Sequence, residues 1–289
     1  MREMSRREIL SVHPFFVCGA PKSGTTWLQR ILDAHPEVCC SGEGHFISRF
    51  SAPVSKVVNA YNRDLGWEAK LVYEGEPYYS GVDQAEFDEV VRGFILGRLR
   101  ARATAETRWI GDKTPGYTRQ LDQLHRLFPA AKIIHIVRDP RDVAVSRMAF
   151  SIRAGADEAR TPGSEQHRQT LAGAVRSWKE AVTAVDAFAQ AHPGRVHELR
   201  YLDLHADPIG EAERLFAFLG APTPRVLMEQ IVAATSFEAL SGRRPGEEDP
   251  ASFLRKGLPG DWRNSLDPAS AALIVESCGS LMREKRFAA

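Results

Sequence analysis

The chain has 289 residues, with 38 Lys and Arg against 37 Asp and Glu, giving a formal net charge of +1. That balance supplies no global basic field for nucleic acid or an anionic membrane, so any anion site must be local. A hydrophobic fraction of 43% is ample for a core, and the length suits one large α/β domain.

The first ten residues, MREMSRREIL, are charged, and only a short apolar run follows. With neither a signal-peptide core nor a spanning segment there, the expected location is cytoplasmic. FFVCGA (15–20) reads as a buried strand, and residues 25–34 as the helix after it. Residues 34–82 are polar and aromatic with little periodicity, the character of long loops that wall a binding site. Residues 84–104 read as a helix, with Phe87, Val90, Val91, Phe94, Ile95 and Leu99 near 3.6 spacing. RWIGDK (108–113) is a candidate strand, followed by a helix around 117–127.

KIIHIVR (132–138) is nearly continuously apolar, as in a parallel sheet covered on both faces. Asp139 caps the next helix and Pro140 fits its first position, with an expected end near 151. Residues 153–166 read as a mobile loop, 167–191 as a long helix, 196–201 as a strand and 207–219 as a helix. This alternation predicts a mostly parallel, doubly covered sheet in a single domain.

Two strand ends and one late loop carry the chemistry. Gly19-Ala20-Pro21-Lys22-Ser23-Gly24-Thr25-Thr26 follows a strand and opens a helix, so free N–H groups and the positive end of the helix dipole converge on an anion. A nucleoside triphosphatase places Lys directly after the second Gly, then Ser or Thr for magnesium. Here Thr25 follows Gly24 and the loop's lysine, Lys22, stands two positions before it. The loop suits a terminal anionic group without the usual magnesium arrangement. Arg138 ends a strand at the side where open α/β sheets bind ligands, and Ser146 lies about two turns into the next helix. Farther on, Phe253-Leu254-Arg255-Lys256-Gly257 sets adjacent cations on a Gly-rich loop, a compact phosphate clamp.

These segments, in this order, resemble the sulfotransferases that use 3'-phosphoadenosine 5'-phosphosulfate (PAPS). PKSGTTWL (21–28) is similar to their 5'-phosphosulfate loop, and the likeness runs from 15 to about 266. It implies a P-loop-like three-layer α/β/α domain over 1–289, with a central, mostly parallel sheet of about five strands. Residues 1–14 would be an extension, 15–266 the core and 267–289 a carboxy-terminal helix. The resemblance assigns Pro21, Lys22, Ser23, Gly24, Thr25, Thr26 and Trp27 to the phosphosulfate. It assigns Arg138, Ser146, Arg255, Lys256 and Gly257 to the 3'-phosphate, and Tyr201, Thr235, Ser236 and Phe237 to the adenine. The family's early tryptophan for the adenine face has no counterpart.

Sulfuryl transfer is an in-line displacement governed by positioning and charge stabilisation. Lys22 is placed to stabilise the leaving oxygen, and Lys113, at another strand end, to help it. Small-molecule cytosolic members follow this lysine with Thr-His, the His being the base. This chain has Lys113-Thr114-Pro115. Members acting on tyrosines and sugars use a glutamate after the first helix, and LDAHPEVCCSGEGHF puts Glu43 there, with His45 the rival base. A partly dehydrated carboxylate has a raised pKa suited to that task. The expected partner is a small-molecule hydroxyl acceptor, with Trp67, Tyr73, Tyr78, Tyr79 and Phe150 as candidate walls.

Two rival readings remain at this stage, a P-loop small-molecule kinase and a non-catalytic PAP-binding protein. Nine histidines without HExxH spacing, and Cys18, Cys39, Cys40 and Cys278 without a CxxC pair, predict no metal centre and a reducing compartment.

Overall fold

The computed structural model describes residues 12–288 except 77, 250 and 253. Five strands, β1 (His13–Cys18), β2 (Val38–Gly42), β3 (Trp109–Lys113), β4 (Lys132–Val137) and β5 (Val196–Arg200), form one sheet in the order β2-β3-β1-β4-β5. Every pairing is parallel, with Val17 opposite both Lys113 and Ile134. Alternate side chains enter different cores, which is why these strands lack a polar face. Phe15, Val17, Ile134 and Ile136 pack on α1 (Thr25–Asp33) and α8 (Pro208–Leu219). On the opposite face, Phe16, Cys18, Ile110 and Ile133 meet α3 (Gln84–Arg100) and α4 (Leu121–Leu127). A third cluster joins α5 (Pro140–Arg153), α6 (Glu165–Ala191) and α12 (Pro268–Glu284) around the fully buried Trp178. The result is the three-layer α/β/α arrangement.

Local signals set several boundaries. Asp83 and Glu86 form a capping box on α3, and α5 starts where Asp139 accepts from the Arg141 N–H with Pro140 in the first turn. The helix expected to 104 stops at Arg100. The one expected around 117–127 divides into a 3₁₀ turn (Pro115–Arg119) and α4. Residues 153–166 are not one loop, since α5 runs to Arg153 and a 3₁₀ turn occupies Asp157–Arg160. The extension expected at 1–14 lies mostly outside the described residues, and β1 starts within it at His13.

The largest departure lies in 34–82, expected to be aperiodic. It holds β2, a π-helical stretch (Phe46–Ser51) and the 21-residue α2 (Ala52–Val72). The physical reason is a missing apolar face. Val54 and Val58 touch the core, but Val57, Tyr61, Trp67 and Leu71 are exposed, and Ala69 is the buried residue of the helix. Four short helices complete the described chain: α7 (Tyr201–Ala206), α9 (Arg225–Ala234), α10 (Phe237–Ser241) and α11 (Trp262–Ser265). No helix among the described residues is long and apolar enough to cross a membrane.

The sheet depends on one close approach. A Cβ at Gly111 of β3 would come within 2.4 Å of the ring of Phe15 on β1, which is fully buried and cannot yield. Gly111→Ala should therefore cost about 1–3 kcal/mol, the usual penalty of overpacking. A melting temperature within a degree of the parent's would contradict this.

Candidate functional site

The carboxyl ends of β1, β3 and β4 lie side by side, and the segments leaving them meet in a cleft of about 750 Å³. After β1 the chain turns through Lys22 (φ 79°) and Gly24 (φ 98°), both left-handed, before α1 begins. For lysine this backbone is strained, which a packed surrounding must maintain. At Gly24 a Cβ would lie 2.6 Å from the Tyr201 ring, so only glycine lets that ring cover the loop. Ser23 is fully buried and its Oγ has no hydrogen-bond partner among the described residues. Lys22 Nζ stands 5.1 Å from the centre of the Phe150 ring. Burial first, then the charges of Arg153 and Arg138, pull its pKa down to about 8.

A second group comes from β3 and the turn after β2. Lys113 is buried at the strand end, where Nζ donates to Glu43 Oε1 at 2.7 Å and to Thr26 Oγ1 at 3.3 Å. It thus links the start of α1, at Thr26, to the candidate base. Glu43 and His45 both have positive φ (44° and 48°), and Glu43 Oε2 lies 3.4 Å from His45 Nε2. Their turn hangs on Asp112, whose carboxylate accepts from the Gly44 N–H at 2.9 Å, Thr114 Oγ1 at 2.7 Å and Tyr117 OH at 2.8 Å. The raised carboxyl pKa expected for Glu43 is not found. Burial does push it upward, but the Lys113 hydrogen bond and charge, with His45, outweigh burial and hold it below the usual glutamate value.

A third group surrounds Arg138. Its guanidinium lies 4.3 Å from the centre of the Tyr201 ring and donates to the carbonyls of Lys22 (3.4 Å) and Leu258 (3.2 Å). Its own carbonyl accepts from Trp178 Nε1 at 2.8 Å. Buried Asp142 fastens the late loop to α5, accepting from the N–H groups of Gly260 (2.7 Å) and Trp262 (3.1 Å). On that loop Arg255 and Lys256 are engaged by acids. Asp261 bonds both, and Glu248 accepts from Arg255 at 2.7 Å. Gly257 has a positive φ, and a Cβ there would strike the Phe237 ring at 2.3 Å.

Of the residues selected by sequence, the cleft gathers Pro21, Lys22, Gly24, Thr25, Thr26, Trp27, Glu43, His45, Arg138, Ser146, Tyr201, Thr235, Ser236, Phe237, Arg255, Lys256 and Gly257. Ser23 and Lys113 are buried rather than lining it, although Lys113 reaches two lining residues. Of the aromatic wall candidates Phe150 lines the cleft; Trp67, Tyr73, Tyr78 and Tyr79 do not, and all four are exposed. Trp27 Nε1 donates to Thr235 O at 2.9 Å, fixing the start of α1 to the Thr-Ser-Phe segment. Sequence reasoning missed His205, Arg119 and Arg147 on the cleft wall, and Asp112 and Asp142 behind it. Asp112 carried one signal, a carboxylate inside an otherwise buried strand.

A lysine with this environment titrates within reach of direct measurement. After reductive ¹³C-methylation, one lysine resonance should titrate near pH 8 and vanish in Lys22→Met. Normal titration of every lysine near 10.4 would contradict the burial and crowding described.

Residues 14–225 match the model of the Sulfotransferase family, well over half of the chain. A Caenorhabditis briggsae protein provisionally named a protein-tyrosine sulfotransferase is 28% identical over 204 residues, 71% of this chain and 64% of that protein. Cytosolic sulfotransferase 17 of Arabidopsis thaliana is 24% identical over 292 residues, 94% of this chain and 73% of that protein. The chain thus spans less than two thirds of the first relative's length and somewhat more of the second's. The fold is shared with mouse sulfotransferase SULT7A1 complexed with PAP, at TM-score 0.55 and 21% identity, over 94% of this chain and 85% of that one. Residues 235–237 and 255–257 lie beyond the span matched by the family model. With the strand-end loop, the parallel sheet and this match in agreement, the chain belongs to the sulfotransferase family.

Proposed function

We propose that this protein moves a sulfuryl group from PAPS to a hydroxyl of a small-molecule acceptor, leaving PAP and a sulfate ester. One observation carries the reading: a single cleft holds two separate cationic groups, Lys22 with Lys113 behind it and Arg138 with Arg255 and Lys256, with Trp27, Tyr201 and Phe237 on its walls. A nucleotide phosphorylated at both ends of its ribose needs two anion sites and an apolar surface for the purine. The orphaned Ser23 Oγ supports the fit, since a buried hydroxyl without a partner costs about 1–3 kcal/mol and an anionic oxygen would satisfy it. The mouse neighbour, solved with PAP, is consistent with the same ligand class here.

PAPS supplies an electrophilic sulfur on a phosphate leaving group. In this reading the loop N–H groups, Lys22 and Lys113 hold the phosphosulfate end and stabilise charge gathering on the bridging oxygen. Arg138, Ser146, Arg255, Lys256 and Gly257 take the 3'-phosphate, which must displace Glu248 and Asp261 from the two adjacent cations. Tyr201, Thr235, Ser236 and Phe237 face the adenine. Glu43 accepts the acceptor's proton, with His45 beside it to orient the carboxylate or serve as the rival base. Because Lys113 holds the Glu43 pKa down, sharing that ammonium with the anionic donor lets the carboxylate recover basicity as the site fills.

The test is turnover with PAPS across phenols, alcohols and sugars, read by mass spectrometry. Glu43→Gln should lower kcat by about 100-fold or more, the scale of a lost general base, while PAP affinity stays within about threefold. Retained turnover in Glu43→Gln with loss in His45→Asn would transfer the role to His45. Phosphoryl product from ATP and magnesium, with none from PAPS, would contradict the whole reading.

A further inference from the structure

The donor and base account for most of the cleft's charged side chains, but not for Arg119 and Arg147. Arg147 lies on α5 and is partly buried, and it has no hydrogen bond, ion pair or ring contact among the described residues. An arginine held in a cleft wall without a counter-charge is a ready anion receptor, since its planar fork of donors loses little freedom on binding a carboxylate. Its neighbour Ser146 is assigned to the donor, but consecutive helix residues point about 100° apart. The guanidinium leans toward α6, where Nη2 would lie 3.8 Å from a Cβ at Gly173.

Arg119 approaches the same helix, pairing at 3.3 Å with Glu180. Gly173 and Glu180 lie seven residues apart on α6, two turns on one side and about 10 Å along the axis. The two arginines therefore flank one wall, between α5, α6 and the turn at Pro115–Arg119 that directly follows Lys113 and Thr114. Glu43 is the carboxylate lining the cleft among the described residues, and Lys113 and His45 already engage it. The Arg119–Glu180 pair is exposed on both sides, so an incoming anion meets little resistance there. Phe150 and Ser151 line the cleft beside Arg147, adding an aromatic face and a hydroxyl.

We infer that the acceptor is a small hydroxylated molecule that also carries an anionic group, of carboxylate type, received by Arg147 with Arg119 at the entrance. This rests on the donor and base assignment above, and adds which acceptors are selected. Arg147 is then a specificity residue: it grips the end of the acceptor remote from the hydroxyl presented to Glu43. A neutral analogue of equal size leaves the guanidinium without its partner, so discrimination appears in kcat/KM.

The experiment compares p-hydroxyphenylacetate, its methyl ester and tyramine. Turnover is measured with PAPS, and binding to the PAP-loaded protein by calorimetry, so that the result does not require these phenols to be good substrates. The acid should bind, and where turned over react, about tenfold or more better than either analogue, the worth of one charge-assisted pair. Arg147→Gln should collapse that ratio to near one, and Arg147→Lys should restore part of it. PAP binding without preference for the acid, or without binding of any of the three, overturns this inference alone. So does an equal loss for all three probes in Arg147→Gln, or weakened PAP binding, either of which places Arg147 on the donor. Preference for a tyrosine-bearing acidic peptide over the small acid overturns the small-molecule class. Failure of PAP to bind overturns the donor assignment, and this inference with it.

Discussion

The parallel register of β1 between β3 and β4 is the constraint on which the site depends. Val17 lies opposite Lys113, the last residue of β3, and opposite Ile134 of β4, which continues to Val137, so the three parallel strands run out on the same side of the sheet with β4 reaching farthest. Three segments with separate chemistry therefore leave the sheet at one edge: the loop carrying Lys22, the lysine at 113 and the arginine at 138. A slip of one residue would turn the strand-end side chains to the opposite face. Register here depends on packing, because alternate side chains of β1 are committed to different cores.

Charge in the cleft is arranged so that the cations assigned to the donor have structural partners, whereas Arg147 has none among the described residues. Lys113 bonds Glu43 and Thr26, Arg138 bonds two carbonyls, and Arg255 and Lys256 share Asp261. Such partners limit the cost of holding cations in a partly dry cleft. They also set a threshold for ligands, which must offer better acceptors than the protein's own carboxylates and carbonyls. Lys22 shows the residual crowding, since burial and neighbouring cations bring its pKa to about 8. An anion reaching the loop relieves that crowding directly.

Much of this was legible in the chain. β1 and β4 were readable because burial on both faces makes them continuous apolar runs, and the candidate anion loop because Lys22 and Gly24 fall within one short run between strand and helix. The segment VCCSG was not, since two cysteines, a serine and a glycine carry little strand preference, and β2 forms because β3 offers it an edge. Helix α2 was hidden by its lack of an apolar stripe. Asp112 and Asp142 escaped for another reason. They accept backbone N–H groups from Gly44, Gly260 and Trp262, residues 68, 118 and 120 positions away, and no local pattern encodes such a partner. The direction of the Glu43 pKa was missed because it depends on Lys113, brought to 2.7 Å by the pairing of β2 with β3.

The central claim is that one cleft recognises both ends of a doubly phosphorylated nucleotide. Calorimetric titration with PAP and with adenosine 5'-monophosphate tests it most directly, because the two ligands differ by the 3'-phosphate alone. The account predicts that PAP binds about 100-fold more tightly, and that Arg255→Gln removes most of the difference. Equal affinity for the two ligands in the parent protein would contradict it.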